Sequence, residues 1–196
     1  TTRGVAFAAT FCSDVRGVSA EEAEMAKLVE NAWRDLSIAF ANQVASAAED
    51  LGLDGRRVID LATTHPRVSL LRPGIGVGGH CLPVDPLFLP PSVTLAREAR
   101  RANDARTERV VRQIRSFAAG RSIAALGLAY KADTADARNA PAVRVVKALG
   151  CVAHDPFVRP DGVRWVALDE AKRADVVVRL VAHQALAEVP VDLDLT

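Results

Sequence analysis

The sequence predicts an α/β protein in two parts, a helical unit followed by a small doubly wound parallel sheet. Two patterns carry this expectation. Before residue 120 apolar residues recur at helical spacing through two long stretches, and after it come short β-rich runs separated by a helix. The boundary falls near residue 120, giving a helical unit at 19–119 and a sheet unit at 120–196, with 1–18 as a linker ahead of both.

Residues 1–18 are apolar and mixed and read as the end of a strand followed by a loop. Ser19-Ala-Glu-Glu22 is a capping box that opens the first long helix. Met25, Leu28, Val29, Leu36, Phe40, Val44 and Ala47 then repeat at helical spacing until Gly52 stops it. Asp54 caps a shorter helix through Val58, Ile59 and Leu61. Residues 63–91 hold four glycines and six prolines, a long ordered loop of the kind that usually carries function. A third helix is expected at 92–118, with Leu95, Ala99, Ala102, Val110, Ile114 and Phe117 facing inward and Gly120 ending it. Strands are expected at 122–126, 152–154 and 176–181, with a helix from Pro141 to Leu149. That helix reaches Gly150 and the next strand in few residues for a crossover, so either the unit is compressed or residues are absent from the chain there.

Composition narrows the function classes. The 196 residues are 49% hydrophobic and 25% charged, ordinary for a globular protein. A net charge of +1 leaves no electrostatic footprint for nucleic acid or an anionic membrane, and 5% aromatic content argues against base-stacking surfaces. No apolar run approaches a membrane span, and no signal-peptide pattern opens the sequence. Cys12, Cys81 and Cys151 are odd in number and widely spaced, which argues against a disulfide framework and for a reducing, cytoplasmic setting.

The most informative stretch is Leu71-Arg-Pro-Gly-Ile-Gly-Val-Gly-Gly-His-Cys81-Leu-Pro-Val-Asp85-Pro. Gly74, Gly76, Gly78 and Gly79 let backbone amides approach a ligand and permit positive φ. They lead into Cys81, with the Asp85 carboxylate four residues on. A thiol beside oriented amides ionises and attacks carbonyl carbon, and a nearby carboxylate steers a proton or a water. A lone cysteine is more often a buried hydrophobe, but the glycines and Asp85 shift the balance to the nucleophile. His80 has no partner at metal-ligand spacing and is read as a loop residue. On the first long helix Lys27 and Asn31 stand at i and i+4, an ammonium and an amide on one face. Such a pair is usually a solvated surface; beside the thiol it is a candidate oxyanion or water holder.

These motifs occur in a fixed order. Glu24-Met-x-Lys-Leu-x-Glu-Asn31, Arg34-Asp-x-x-Ile-Ala-Phe-Ala-Asn42, His65-Pro-Arg-Val68 and the cysteine loop are followed by Gly127-Leu-Ala-Tyr-Lys131, Asp136-Ala-Arg138-Asn-Ala-Pro141 and His154-Asp-Pro156. The string resembles the UDP-glucose/GDP-mannose dehydrogenase family, most like the branch that oxidises UDP-N-acetylmannosamine. The resemblance implies a central helical dimerisation domain with a catalytic cysteine, then a Rossmann-like UDP-binding domain. It implies two-step, NAD-dependent oxidation of a sugar C6 alcohol to a carboxylate through a thiohemiacetal and a thioester on Cys81. Lys27 and Asn31 would hold the oxyanion or the water, and Asp85 would act as base or orient the lysine. Arg67 would reach the substrate diphosphate across a homodimer interface. Gly74, Gly76, Gly78 and Gly79 would cradle the sugar, and Lys131 and Arg138 would contact the sugar or its carboxylate product. Ala140 replaces the family's serine, Gln43 its glutamate, and residues 89–103 run a few residues short. The family's Gly-x-Gly-x-x-Gly turn is not found at the start of the chain, so 1–18 reads as the remnant of an absent NAD-binding domain. In the later sheet Asp155 stands where a ribose-binding acid would, but the first turn offers only Gly127, so that sheet is expected to bind UDP and not NAD. A second reading is a stand-alone module that binds nucleotide sugar or dimerises, or uses the thiol in non-redox acyl chemistry.

Overall fold

The computed structural model describes residues 2–196. It opens with a helix, α1 (Thr2–Ala8), where the sequence reading expected strand and loop. A single short segment has no period long enough to decide between the two. The capping box of α2 (Ala20–Asp50) forms as expected, with Ser19 Oγ accepting from the Glu22 amide at 3.1 Å and the Glu22 carboxylate from the Ser19 amide at 2.8 Å. Asp54 caps α3 (Gly55–Thr63) through the Arg56 and Arg57 amides. A Cβ on Gly55 would lie 2.7 Å from the Ala45 backbone, so a glycine–alanine contact is what lets α3 reach α2.

The inward face of α2 is not its large apolar stripe. Ala32, Ala39, Ala41, Ala45 and Ala48 are buried together with Asn31, Asp35 and Asn42. Trp33 and Phe40 stay 68% and 52% exposed, and Met25 and Val29 are exposed beside them. The partner helix α4 (Thr94–Ala118) meets this face with Ala96, Ala99, Arg100, Asn103, Arg106 and Thr107. Leu95 and Phe117, expected inside, point to solvent. Small residues let the two backbones approach, and the polar groups between them bond one another. Ala119 in the left-handed region and then Gly120 end α4.

The second unit is a five-stranded parallel sheet in the order β3-β2-β1-β4-β5. Its strands are β1 (Ile123–Leu126), β2 (Val152–His154), β3 (Arg164–Trp165), β4 (Val176–Arg179) and β5 (Leu193–Asp194). The last expected strand ends two residues early, at Arg179. Strands β3 and β5 have two residues each, too short to show a period in sequence. The crossover α5 (Pro141–Leu149) starts on a helix-favouring proline and ends at left-handed Gly150. Only the turn from α5 into β2 is short; with the loop between β1 and α5 the whole crossover runs over residues 127–151, ample for a parallel connection. Val110 and Ile114 of α4 pack with Ala125, Val145, Val146, Val176 and Val178, so α4 belongs to both units. The short α6 (Leu168–Ala171) and its neighbours cover the other face, around Leu126, Val166, Val177 and Leu186.

Between α2 and α4 the Asp35 carboxylate is fully buried and accepts from Arg100 Nη1 at 2.5 Å and Asn103 Nδ2 at 2.8 Å. Burial pushes its pKa from the ordinary 3.8 up to about 6, against the pull of Arg100 and Asn103. A folded-state pKa above the unfolded value means that the native protein binds more protons between those values. The contribution of Asp35 to stability is therefore complete below about pH 4 and is lost as pH rises through about 6. Arg100→Met removes the compensating cation and is expected to cost about 3–5 kcal/mol at pH 7.5, by leaving a buried charge unpaired. It also raises the Asp35 pKa further, so urea unfolding should show a smaller loss at pH 5 than at pH 7.5. An equal loss at both pH values would refute the assignment.

Candidate active site

The cysteine loop closes into one helical turn at its end. The Cys81 carbonyl accepts from the amides of Val84 at 3.0 Å and Asp85 at 2.8 Å, and a 3-10 turn (Asp85–Phe88) continues from it. This returns the Asp85 side chain to α2, where Asn31 Nδ2 donates to Asp85 Oδ2 at 2.5 Å. Cys81 itself is half-buried. A cleft of about 580 Å³, lined by Glu21, Glu24, Met25, Leu28, Phe88 and Pro90, opens beside Asp85.

Lys27 lies one turn before Asn31 on α2, exposed, with Nζ 3.0 Å from Glu30 Oε2. The hydrogen bond and charge of Glu30 chiefly raise its pKa, with smaller contributions from Cys81 and Asp85, so its ammonium sits within the field of both. Arg138 approaches from the other unit. Its pKa is raised first by its bonds to Asp136, 2.6 Å at the closest, and to a smaller degree by Tyr130 and Cys81. The structure thus joins Asn31 to Asp85 across α2 and the cysteine turn, while Lys27 and Arg138 lie close enough for charge to act between them and Cys81. A half-buried thiol within the field of two cations, four residues before a carboxylate held by an amide, can attack a carbonyl and direct a water.

Other expected residues lie elsewhere. Arg67 is exposed on a groove of about 480 Å³ with Trp33, Leu36, Phe40, Val68 and Leu71, along the outer face of α2. Lys131 is exposed on the loop after β1, at the carboxyl end of the sheet where ligands of such folds bind. The glycines serve largely as a joint. A Cβ on Gly78 would lie 2.7 Å from Pro141 and 3.0 Å from Tyr130, and one on Gly79 would press on the Tyr130 ring. The Gly79 amide donates to the Arg138 carbonyl and Asn139 Nδ2 to the Gly79 carbonyl, so the loop is bonded to the second unit on that side. Nothing crowds the side-chain position of Gly74, whose amide donates to Asn42 Oδ1 at 2.8 Å.

The sequence reading passed over the groups that carry the loop. Asn42 Nδ2 donates to Asn103 Oδ1, Arg106 Nε to the Gly74 carbonyl at 2.9 Å, and Arg106 Nη1 to Ser46 Oγ. Their signal was polar residues at helical spacing on an alanine face: Asn31, Asp35 and Asn42, then Arg100, Asn103 and Arg106. The other two cysteines differ from each other. Cys12 is exposed, with Sγ near the Asp14 carbonyl, whereas burial pushes Cys151 up to about 11.

Asp155 is no ribose acceptor. It is 2% exposed; Oδ1 accepts from the Phe157 and Val158 amides, and Oδ2 from the Leu128 and Ala129 amides and lies 3.0 Å from His183 Nε2. Burial raises its pKa, but these donors outweigh it and the net shift is downward. The Asp133 amide donates to His183 Nδ1, which makes Nε2 the protonated nitrogen facing Asp155. Gly127, at φ 89°, has its side-chain position filled by Val181 at 2.6 Å, which leaves no approach for a pyrophosphate. Among the described residues no group of three or more His, Cys, Asp or Glu is placed to hold a metal, and no helix is long and apolar enough to cross a membrane.

Residues 21–108 match the central-domain model of the UDP-glucose/GDP-mannose dehydrogenase family, and 124–194 its UDP-binding-domain model. The NDP-N-acetyl-D-galactosaminuronic acid dehydrogenase of Ralstonia nicotianae is 40% identical over 88% of this chain and 45% of its own length. The UDP-N-acetyl-D-mannosamine dehydrogenase of Campylobacter jejuni is 38% identical over 89% of this chain and 48% of its own. The solved UDP-D-ManNAc dehydrogenase of Pyrococcus horikoshii superposes with a TM-score of 0.73 at 37% identity, over 84% of this chain and 43% of that one. The chain therefore spans about half the length of the curated relatives it matches. Two consecutive domain models, matched in order and continuous with the observed helical and sheet units, show that the chain belongs to the UDP-glucose/GDP-mannose dehydrogenase family.

Proposed function

We propose that this chain carries the catalytic cysteine and the nucleotide-sugar site of a UDP-sugar 6-dehydrogenase acting on a substrate of the UDP-N-acetylmannosamine type. The observation that carries the reading is the Asn31–Asp85 contact at 2.5 Å, which brings α2 to the Cys81 turn across 54 residues of sequence. In this reading the Cys81 thiolate adds to the C6 aldehyde of the sugar, and the oxyanion of the thiohemiacetal lies against Lys27 and Asn31. The acyl group is then held as a thioester until water, giving its proton to Asp85, releases the carboxylate and restores the thiol. Two molecules of NAD, bound in turn, would each take up one of the two hydrides that the conversion of alcohol to carboxylate releases. The described sheet does not fit that dinucleotide, because Asp155 is committed internally and Gly127 is filled by Val181. The sheet binds the UDP moiety instead, with Lys131 and Arg138 near the sugar. The backbone around Gly74, Gly76, Gly78 and Gly79 borders the sugar on the side not occupied by Tyr130.

The exposed stripe of Met25, Val29, Trp33 and Phe40, with Arg67 on its flank, is a two-fold homodimer face in this reading. There Arg67 reaches the diphosphate bound by the partner subunit. Light scattering at tens of micromolar should give a dimer, and Trp33→Glu a monomer with unchanged circular dichroism; a wild-type monomer would refute this face.

Cysteine reactivity tests the chemistry. In a Cys12→Ser background, iodoacetamide at pH 7 should label Cys81 well before Cys151, and UDP-N-acetylmannosamine should protect Cys81. Lys27→Met should slow the labelling by roughly two- to fivefold, the range that exposed charge pairs correspond to. Equal labelling of Cys81 and Cys151, or no effect of Lys27→Met, would remove the thiol mechanism.

A further inference from the structure

The Cys81 turn is held from two sides. On one side Asn31 grips the Asp85 side chain. On the other, Arg100 Nη1 reaches the Leu82 carbonyl at 3.5 Å, on the residue next to the thiol, while bonding Asp35 Oδ1 at 2.5 Å. Asn31 and Asp35 are i and i+4 on α2, so one helical face makes the first grip and holds Arg100 of α4 for the second. The guanidinium is 6% exposed, and its second nitrogen lies 3.4 Å from Asp104, which also pairs with Arg144 on α5. Asp35 is oriented in turn by Asn103, which donates to both its carboxylate and its backbone carbonyl. A compact ammonium at this place could not bond Asp35, Leu82 and Asp104 together, whereas the planar fork does.

We infer that Arg100, aimed by Asp35, is a positioning residue for the Cys81 nucleophile, setting the turn that presents the thiol to Lys27 and Arg138. This rests on the proposed role of Cys81 and deepens it. The burial of the pair fits that task better than a stabilising one, because a buried ion pair adds little to stability over an apolar replacement. A small shift of a reacting group is costly to rate even where the binding surface is intact.

The test uses Arg100→Lys in the Cys12→Ser chain, with three readouts: near-UV circular dichroism, the alkylation rates of Cys81 and Cys151, and the UDP-N-acetylmannosamine concentration giving half-protection. Expected are an unchanged spectrum, unchanged Cys151 labelling and unchanged half-protection, with Cys81 alkylation slowed about tenfold, the loss expected of one charge-assisted bond. A wild-type Cys81 rate would overturn the inference, as would a parallel loss of binding and reactivity, which marks a purely structural role. Should Arg100→Lys fail to fold, Asp35→Asn decides, since it keeps the shape and one acceptor oxygen while removing the charge that aims Arg100. The same split supports the inference; a wild-type rate, or failure of this variant to fold as well, overturns it. Wild-type Cys81 no more reactive than Cys151 would instead overturn the proposed function, and is read before either variant.

Discussion

The seam between α2 and α4 is built on a carboxylate and a guanidinium removed from water together, Asp35 and Arg100, and the arrangement of the cysteine loop depends on it. Withdrawing two charges from solvent is costly, and mutual attraction offsets that only when the remaining donors and acceptors find partners. Here most do: Asn103 serves Asp35, Asn42 serves Asn103 and the Gly74 amide, and Arg106 serves the Gly74 carbonyl. Asp35 Oδ2 is the exception, buried without a partner, in keeping with the upward pressure on its pKa. Alanines at 32, 39, 41, 45, 96 and 99 keep the helices close enough for these short side chains to meet. Larger apolar residues would fill the seam but would leave the backbone of the 74–82 loop without its donors and acceptors.

The second unit repeats the device with a single hub. Asp155 ties the ends of β1 and β2 to His183 beyond β4, so the carboxyl edge of the sheet is set by one buried carboxylate. An anion surrounded by backbone amides is stable inside a protein without a formal counter-ion. The loops that radiate from this edge carry Lys131 and Arg138, and their geometry follows from the hub. The same hub disqualifies the sheet for NAD, since an acid already saturated with donors cannot receive a ribose.

The two units meet at the cysteine loop. Gly78 and Gly79 are pressed on Tyr130, Asn139 and Pro141, while α4 runs from the polar seam into the core of the sheet. The thiol therefore stands at a joint fastened on three sides, by α2, by α4 and by the loop after β1. Glycine is needed there because backbone must lie against an aromatic ring and a proline.

Local chemistry made much of this legible in advance. Capping residues, helix stops and turn-forming glycines act within a few residues, so Ser19, Asp54, Pro141 and Gly150 marked their elements correctly. The thiol, its carboxylate and the Lys27–Asn31 face were visible because each lies within one turn or one loop. Which face of α2 is buried was not visible. Hydrophobicity alone favours Trp33 and Phe40, yet the fold buries Asp35 and Asn42, whose partners lie about 60 residues away on α4. The two-residue strands escaped for a similar reason, as only pairing with a neighbouring strand makes them strands. Residue chemistry and local helical propensity are properties of the chain read in order. Whether a polar group is tolerable inside, and whether a glycine faces ligand or packing, depends on partners that only folding brings within hydrogen-bonding distance.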